Sequence, residues 1–162
     1  MKFVDPDDMN KGLKFDGRIS EDFKLLTGTW VRAANLRLAV LEALAPLAGD
    51  VVVTGADKNQ IGLMIFPNMA ALAKLRFDAT APQGVLNDPK LLAETRHRLV
   101  TLADGACCST RISRSIVLSA PASMPEGEMT AKGNLNFRKI LTRRSDMLAR
   151  LYADTDPAVI TL

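Results

Sequence analysis

Two polar segments near opposite ends of the chain carry residue types suited to anionic substrates. The first, 16–31, places an arginine, a pair of carboxylates, a lysine and a glycine loop close together. The second, 125–138, contains a single lysine, Lys132. An ammonium group on a flexible loop can lie between two anions and lower the electrostatic cost of their approach. A lone lysine in a polar loop is more often simply solvated, so spacing alone gives Lys132 no role.

The first segment reads DGRISEDFKLLTGTWV and ends in a candidate hairpin. Gly28 lies between two threonines, which is typical of a tight turn where glycine adopts backbone conformations that other residues avoid. Arg18 precedes two acids, Glu21 and Asp22. Arg18 could simply form an exposed ion pair with Asp16 or Glu21, which would contribute at most about 1 kcal/mol.

Together the two segments resemble the hinge with its glycine loop, and the terminal lysine loop, of adenylate-forming acyl-CoA synthetases. The stretch GRISEDFKLLTGTWV is most similar to feruloyl-CoA synthetases, and PEGEMTAKGNLNFR is similar to the loop that carries the family's catalytic lysine. With the elements between them, the resemblance covers nearly the whole chain. It implies that the chain is the C-terminal lid domain of an ATP-dependent acid-CoA ligase.

The resemblance implies a role for each candidate residue. Lys132 would supply the positive charge when a carboxylate is joined to the α-phosphate of ATP, and Arg18 would contact ATP. The lid would then rotate about a hinge and offer the glycine loop to the pantetheine of CoA, where Gly28 has no side chain to obstruct it. As a large aromatic residue, Trp30 is also a core candidate. The residues implied in CoA binding are Gly28, Thr29, Trp30, Arg138 and Lys139.

The hinge has two candidate residues. Glu21 fits the family's spacing when it is counted from Arg18. Asp22 fits that spacing when it is counted back from Gly28. Both acids therefore stay candidates for the residue about which the lid would turn.

The terminal loop also departs from the family's usual Ser-Gly-Lys wording. Counting back from Leu135, taken as the aliphatic residue that follows the family's lysine, reaches Asn134. Lys132 lies two residues earlier and is the only lysine in the loop. We therefore predict that Lys132 is catalytic and keep Asn134 as the alternative position.

The rest of an enzyme of this kind is missing from the sequence. The family's large domain has a Ser/Thr/Gly-rich phosphate loop, an acyl pocket and an acid for the ribose of ATP, and Thr27-Gly28-Thr29 is too short for such a loop. We expect the chain to be inactive alone. ATP, Mg²⁺, CoA and an aryl-propenoic acid would be held mainly by an N-terminal adenylation domain. We predict a linker and hinge approach at 1–20 and the lid at 21–162.

The composition is that of an ordinary globular domain, with 48% hydrophobic and 24% charged residues. The chain shows no apolar stretch of membrane-spanning length and no targeting signal at its start, so a cytoplasmic protein without membrane contact is expected. The only cysteines, Cys107 and Cys108, are adjacent, and His97 is the sole histidine. These residues favour neither a disulfide nor a zinc site.

A second class of function is suggested by the net charge of +3 and by basic residues in the last predicted helix. Such a helix could make the chain a binding module for nucleic acid or another polyanion. Sparse aromatic residues in this region argue against nucleic acid. A third reading is an orphan lid that regulates another adenylating enzyme. The basic face consists of Arg138, Lys139, Arg143 and Arg144.

Periodicity and turn residues predict the elements that would position the two segments. Asn35 would cap a helix that Gly49 ends, and aliphatic runs at 50–54 and 60–66 predict antiparallel strands. Together the pattern predicts an α+β fold, a small mostly antiparallel sheet packed with helices. The remaining predictions are a strand near 13–15, a short helix at 69–76, a helix at 88–103, a strand at 111–119 and a final helix at 136–153.

Overall fold

The computed structural model describes residues 2–3, 13–14, 22–79, 84–104, 106–107 and 109–162. Two predicted site residues, Arg18 and Glu21, lie outside the described residues. Near the start of the chain, β1 (Lys2–Phe3) pairs antiparallel with β2 (Leu13–Lys14). In chain order the further elements are β3 (Phe23–Lys24), β4 (Trp30–Val31), α1 (Ala33–Leu44), β5 (Ala48–Thr54), β6 (Ile61–Pro67), α2 (Met69–Lys74), α3 (Pro89–Ala103), β7 (Ile112–Val117), α4 (Phe137–Arg143), α5 (Ser145–Leu151) and β8 (Val159–Thr161).

A four-stranded sheet in the order β5-β6-β7-β8 forms the centre of the fold. β6 runs antiparallel to β5 and parallel to β7, and β7 runs antiparallel to β8. The parallel pair is possible because α2 and α3 return the chain between β6 and β7. The predicted α+β fold with a small, mostly antiparallel sheet is confirmed.

The sheet is covered on both faces, and β6 shows why. All seven of its residues are buried, and alternate side chains enter two separate apolar cores. Leu63 and Ile65 join the core formed with α1 and α3, whereas Met64 and Phe66 join the core formed with α4 and α5. The terminal helices and the loop before them are therefore fixed to one face of the sheet.

Local sequence signals place several elements as predicted. Asp88 caps α3 by accepting a hydrogen bond from the Lys90 backbone nitrogen, and Pro89 occupies the first turn. The β3–β4 hairpin forms around Gly28 as expected, with Lys24 paired to Trp30. α3, the longest described helix, has 15 residues, and no helix in the described part of the chain combines the length and apolar character needed to cross a membrane.

The predicted boundaries of α1 are wrong. The helix begins at Ala33, so Asn35 lies inside it, and it ends at Leu44 rather than at Gly49. Pro46 explains the early end, because the residue before a proline is disfavoured in helical conformation. Gly49 instead lies in β5.

The predicted final helix, 136–153, is also corrected. It is two helices, α4 and α5, separated by the single residue Arg144, whose φ of −105° and ψ of 34° leave the helical range. Asn136 caps α4 by accepting a hydrogen bond from the Lys139 backbone nitrogen at 3.2 Å. The short strands β1 and β8, two and three residues long, were not predicted from the sequence.

Candidate functional site

Lys132 lies at the tip of a five-residue hairpin turn. Within this turn, which we call the lysine turn (residues 130–134), the Gly133 nitrogen donates to the Thr130 oxygen at 2.9 Å. The Thr130 nitrogen donates in turn to the Asn134 oxygen at 2.8 Å. Gly133 has a φ of +80°, the left-handed conformation that completes this type of turn. Lys132 is exposed at this turn.

Asn134, the alternative position, closes the same turn. Its backbone nitrogen donates to the Thr130 hydroxyl oxygen at 3.1 Å, and its side chain is exposed. The next residue, Leu135, is buried and pairs with Met129 at the base of the hairpin. The two candidates thus differ in place: Lys132 is at the tip of the hairpin, and Asn134 is beside its base.

The base of the hairpin is anchored by a buried carboxylate. The side chain of Glu128 is fully buried and accepts from the Arg144 guanidinium at 2.8 and 2.9 Å, through the Nε and one terminal nitrogen. It also accepts from the Ser123 backbone nitrogen at 2.8 Å. On the backbone, the Asn136 nitrogen donates to the Glu128 oxygen at 2.8 Å. Glu128 therefore ties both arms of the hairpin to the protein interior.

The electrostatics of this anchor favour the charged carboxylate. The hydrogen bonds from Arg144 lower the pKa of Glu128 to about 2, against the opposing effect of burial. Arg143 adds a second cation 3.0 Å from the same carboxylate and also contacts Glu126 at 3.1 Å. Glu128 is thus held as an anion throughout the neutral range.

This anchor was not predicted, although the sequence contains a signal for it. Arg144 lies four residues after Ile140 and four before Leu148, on the apolar face of the predicted helix. A charged residue on such a face requires a buried partner. Arg143 and Arg144 are not simply solvated members of a basic face: Arg144 is half-buried, and Arg143, although exposed, is ion-paired with the same Glu128 carboxylate.

The glycine loop has the same turn geometry as the lysine turn. In this glycine turn (residues 25–29), the Gly28 nitrogen donates to the Leu25 oxygen and the Leu25 nitrogen to the Thr29 oxygen, both at 2.9 Å. Gly28 has a φ of +89°. The Leu26 nitrogen donates to the Lys58 oxygen at 2.9 Å, which attaches the turn to the β5–β6 loop. Gly28 is exposed, as a surface offered to a second component requires.

Close packing against Gly55 holds the β3–β4 hairpin in place. A Cβ at Gly55 would lie 2.9 Å from a ring carbon of Phe23 and 3.0 Å from a methyl carbon of Leu25. Because β4 alternates, Val31 is buried and Trp30 points outward with 63% of its surface exposed. Trp30 is therefore not a core residue, which corrects that interpretation.

A cleft of about 590 Å³ opens between the start of β3 and the end of the lysine turn. It brings together Asp22, Asn134 and Arg138 from the predicted site, and Lys58 and Tyr152 add a cation and an aromatic ring. Asp22 is half-buried and precedes β3 directly. Lys132, Gly28, Thr29 and Lys139 do not line this cleft, and Trp30 borders a separate groove.

The two predicted CoA contacts on α4 are both exposed. Arg138 and Lys139 follow the cap residue Asn136, and Arg138 faces the cleft. Among the described residues, no group of three or more His, Cys, Asp and Glu residues could hold a metal ion. Cys107 is exposed and free, and hydrogen bonds from Ser109 and Thr110 lower its pKa to about 7.

Three solved structures share the fold of this chain at 20–21% sequence identity. The first is the A domain of a carboxylic acid reductase from Segniliparus rugosus with AMP and a co-purified carboxylic acid, with a TM-score of 0.64 over 83% of this chain and 20% of that chain; the second is the A-PCP didomain of carboxylic acid reductase from the same organism with AMP, with a TM-score of 0.68 over 93% of this chain and 19% of that chain. The third is the A domain of a carboxylate reductase from Mycobacterium chelonae, with a TM-score of 0.67 over 87% of this chain and 21% of that chain. No curated protein matches the chain.

The chain spans about a fifth of the length of these structures. They are carboxylic acid reductases, so they lend no support to the finer likeness to feruloyl-CoA synthetases. The family model described as "AMP-binding enzyme C-terminal domain" matches residues 21–156, most of the sequence. The chain belongs to this family of C-terminal domains of AMP-binding enzymes.

Proposed function

We propose that this chain is the lid of a carboxylate-activating enzyme and that Lys132 is its adenylation lysine. The observation that supports this most directly is the position of Lys132, exposed at the tip of a turn whose base is anchored through Glu128. A rigid base with a flexible ammonium at its tip can deliver a positive charge into a neighbouring domain. An N-terminal adenylation domain would supply the rest of the site.

The chemistry assigned to Lys132 belongs to the first half-reaction. A carboxylate oxygen attacks the α-phosphorus of ATP, pyrophosphate leaves, and an acyl-adenylate forms. Both reactants are anionic, so an ammonium group between them lowers the energy of the charge that accumulates in the transition state. ATP and Mg²⁺ would be bound mainly by the adenylation domain, as would the acid.

The glycine turn would serve the second half-reaction. A thiol attacks the acyl carbon of the adenylate and AMP leaves. We assign the pantetheine path to Gly28, Thr29 and the exposed Trp30, with Asp22 or Glu21 as the hinge and Arg18 near ATP. Gly28 is exposed and its hydrogen-bonded turn is attached to the main sheet through Lys58.

The identity of the thiol separates two versions of this proposal. An acid-CoA ligase of feruloyl type is supported by the wording of the two motifs and by Arg138 and Lys139, exposed cations suited to phosphate groups. A thiol carried by a PCP is supported by the structural match to an A-PCP didomain of a carboxylic acid reductase, which covers 93% of this chain. Ferulate is our proposed acid for the first version.

The polyanion-binding alternative is weaker. Of its four predicted cations, Arg143 and Arg144 are ion-paired with Glu128, which leaves Arg138 and Lys139 to act on a partner. That alternative would be favoured if the chain bound nucleic acid with a Kd below about 1 μM and if this affinity fell steeply with added salt. A cytoplasmic location is part of the proposal because it supplies ATP and reduced thiols.

The test is reconstitution. Residues 1–162 are fused after the large adenylation domain of a feruloyl-CoA synthetase, which gives what we call the joined enzyme. Ferulate-dependent ATP–pyrophosphate exchange is then measured for the joined enzyme, the large domain alone and the chain alone. We expect exchange by the joined enzyme well above that of the large domain and none by the chain alone. Equal rates with and without the chain would contradict the proposal.

The same enzyme identifies the thiol. Its acyl-adenylate is offered CoA or, in a parallel reaction, the PCP of a carboxylic acid reductase. Thioester formation on CoA supports the acid-CoA ligase. Thioester formation on the PCP alone supports the second version.

A further inference from the structure

The side chain of Arg144 joins the lysine turn to the central sheet. Its guanidinium lies over the ring of Phe66 in β6, 4.9 Å from the ring centre. It donates to the Pro121 and Ala120 carbonyl oxygens at 3.0 and 3.3 Å and holds Glu128 with two further hydrogen bonds. One side chain thus connects the sheet, the 120–121 loop and the base of the hairpin.

Backbone pairing continues from Glu128 to the lysine turn. Glu128 pairs with Asn136, Met129 pairs with Leu135, and the lysine turn closes directly beyond them. A two-stranded hairpin held in this way moves as one piece. A change in the direction of the Glu128 side chain would therefore change where the tip of the hairpin points.

We propose that Glu128 and Arg144 are positioning residues for the adenylation step, which they serve by fixing the direction of the hairpin that carries Lys132. This inference rests on the proposed function, because it requires Lys132 to act in adenylation. Neither residue touches substrate in this account.

The geometry of the pair supports positioning above simple stabilisation. A buried ion pair adds little net stability compared with apolar residues of the same size. Two parallel hydrogen bonds from one guanidinium, by contrast, fix the orientation of a carboxylate. The half-exposed break between α4 and α5 places the Arg144 side chain where it reaches Glu128 and Pro121 together.

The test separates the two half-reactions in the joined enzyme. Adenylation is followed by ATP–pyrophosphate exchange, and the thiol step is followed by adding synthetic feruloyl-adenylate with CoA. For Glu128→Gln we expect the rate of adenylation to fall by roughly tenfold or more, as a displaced catalytic group does. The thiol step should stay within about twofold, because Lys132 is withdrawn at that stage. Arg144→Lys keeps the charge but not the paired hydrogen bonds. We expect it to lower the adenylation rate by a smaller factor and to leave the thiol step within the same limit.

Asp156→Asn is the matched control. Asp156 also accepts from an arginine, Arg150, at 2.6 Å and from a backbone nitrogen, that of Ala158, at 3.0 Å, but it lies after α5 and away from the lysine turn. Both half-reactions of this variant should stay within about twofold of the parent. If Glu128→Gln does not fold, Arg144→Lys carries the test alone.

Two results would overturn the inference. An equal fall in both half-reactions would show a general defect of the lid. Unchanged adenylation in Glu128→Gln and Arg144→Lys, while Lys132→Ala abolishes it, would remove the positioning role and leave the proposed function intact. If Lys132→Ala itself has no effect, the proposed function fails first.

Discussion

Arg144 is the single residue between α4 and α5, and it donates hydrogen bonds to both oxygens of the buried Glu128 carboxylate at 2.8 and 2.9 Å. The break in the helix and the anchoring of the lysine turn are therefore parts of one arrangement. From this position one guanidinium contacts Glu128 at the base of the hairpin, the Pro121 carbonyl oxygen and the ring of Phe66.

Removing this carboxylate should destabilise the chain measurably. Glu128→Gln leaves the Arg144 charge without its buried partner, so we expect the free energy of unfolding to fall by about 3 kcal/mol. Urea unfolding of the chain, followed by circular dichroism, measures the change. Glu94→Gln is the control: Glu94 pairs with Arg98 on the exposed side of α3, and its loss should change the free energy by less than about 0.5 kcal/mol. Equal effects of the two substitutions would contradict the role of burial.

The same pair predicts how stability depends on pH. The pKa of Glu128 is about 2 in the folded chain and lies at about 4.3 for a glutamate in an unfolded chain. Its contribution is therefore fully present above about pH 5 and is lost as the pH falls towards 2. Unfolding free energies at pH 6, 4 and 3 should fall more steeply for the parent than for Glu128→Gln. The contribution of Asp156 is present in both proteins and cancels in this comparison. If the unfolding free energies of the two proteins fell in parallel with pH, Glu128 would have an ordinary pKa, which would contradict the prediction.

The two turns allow a paired substitution. Gly28 and Gly133 hold the fourth position in turns of the same hydrogen-bond pattern, with φ of +89° and +80°. Alanine at either site should cost about 1 kcal/mol of stability, since both need the left-handed conformation. In the joined enzyme we expect Gly28→Ala to slow the thiol step and Gly133→Ala to slow adenylation. The same loss of both steps in both variants would argue against separate roles for the turns.

Gly55 should be the least tolerant glycine of the β3–β4 contact. Alanine there would bring Cβ within 2.9 Å of Phe23 and would also have to adopt a φ of +148°, so overpacking and backbone strain together should destabilise by about 2 kcal/mol. Gly49→Ala in β5 is the matched control, because its nearest neighbour would be 3.6 Å away. Thermal unfolding of both variants tests the difference, and a Gly55→Ala variant as stable as Gly49→Ala would contradict the packing.

The parts of the fold that local residues dictate were predictable. Asp88 and Pro89 predict the start of α3, and Gly28 predicts the β3–β4 hairpin. The predicted end of α1 at Gly49 lies beyond the observed end at Leu44, because Pro46 disfavours helical conformation in the residue before it. β8 is three residues long and is stabilised by pairing with β7, a long-range contact that a pattern of three residues does not reveal.

The exposed turn residues of the candidate site were predictable from the sequence, whereas the buried residues that hold the turns in place were not. Lys132 and Gly28 belong to local motifs, and each is found exposed at a turn. Glu128 and Arg144 are 16 residues apart and meet only because α4 ends and the chain packs back on β6. The outward direction of Trp30 follows from strand alternation, which fixes its side only once Val31 is known to be buried.

The most direct measurement is ATP–pyrophosphate exchange by the joined enzyme with Lys132→Ala and Asn134→Ala made separately. We predict that Lys132→Ala lowers the exchange rate by roughly 100-fold or more while thioester formation from added feruloyl-adenylate persists. Asn134→Ala should stay within about threefold in both steps, because its side chain is beside the base of the turn. Loss of exchange in Asn134→Ala with normal exchange in Lys132→Ala would contradict the assignment of Lys132.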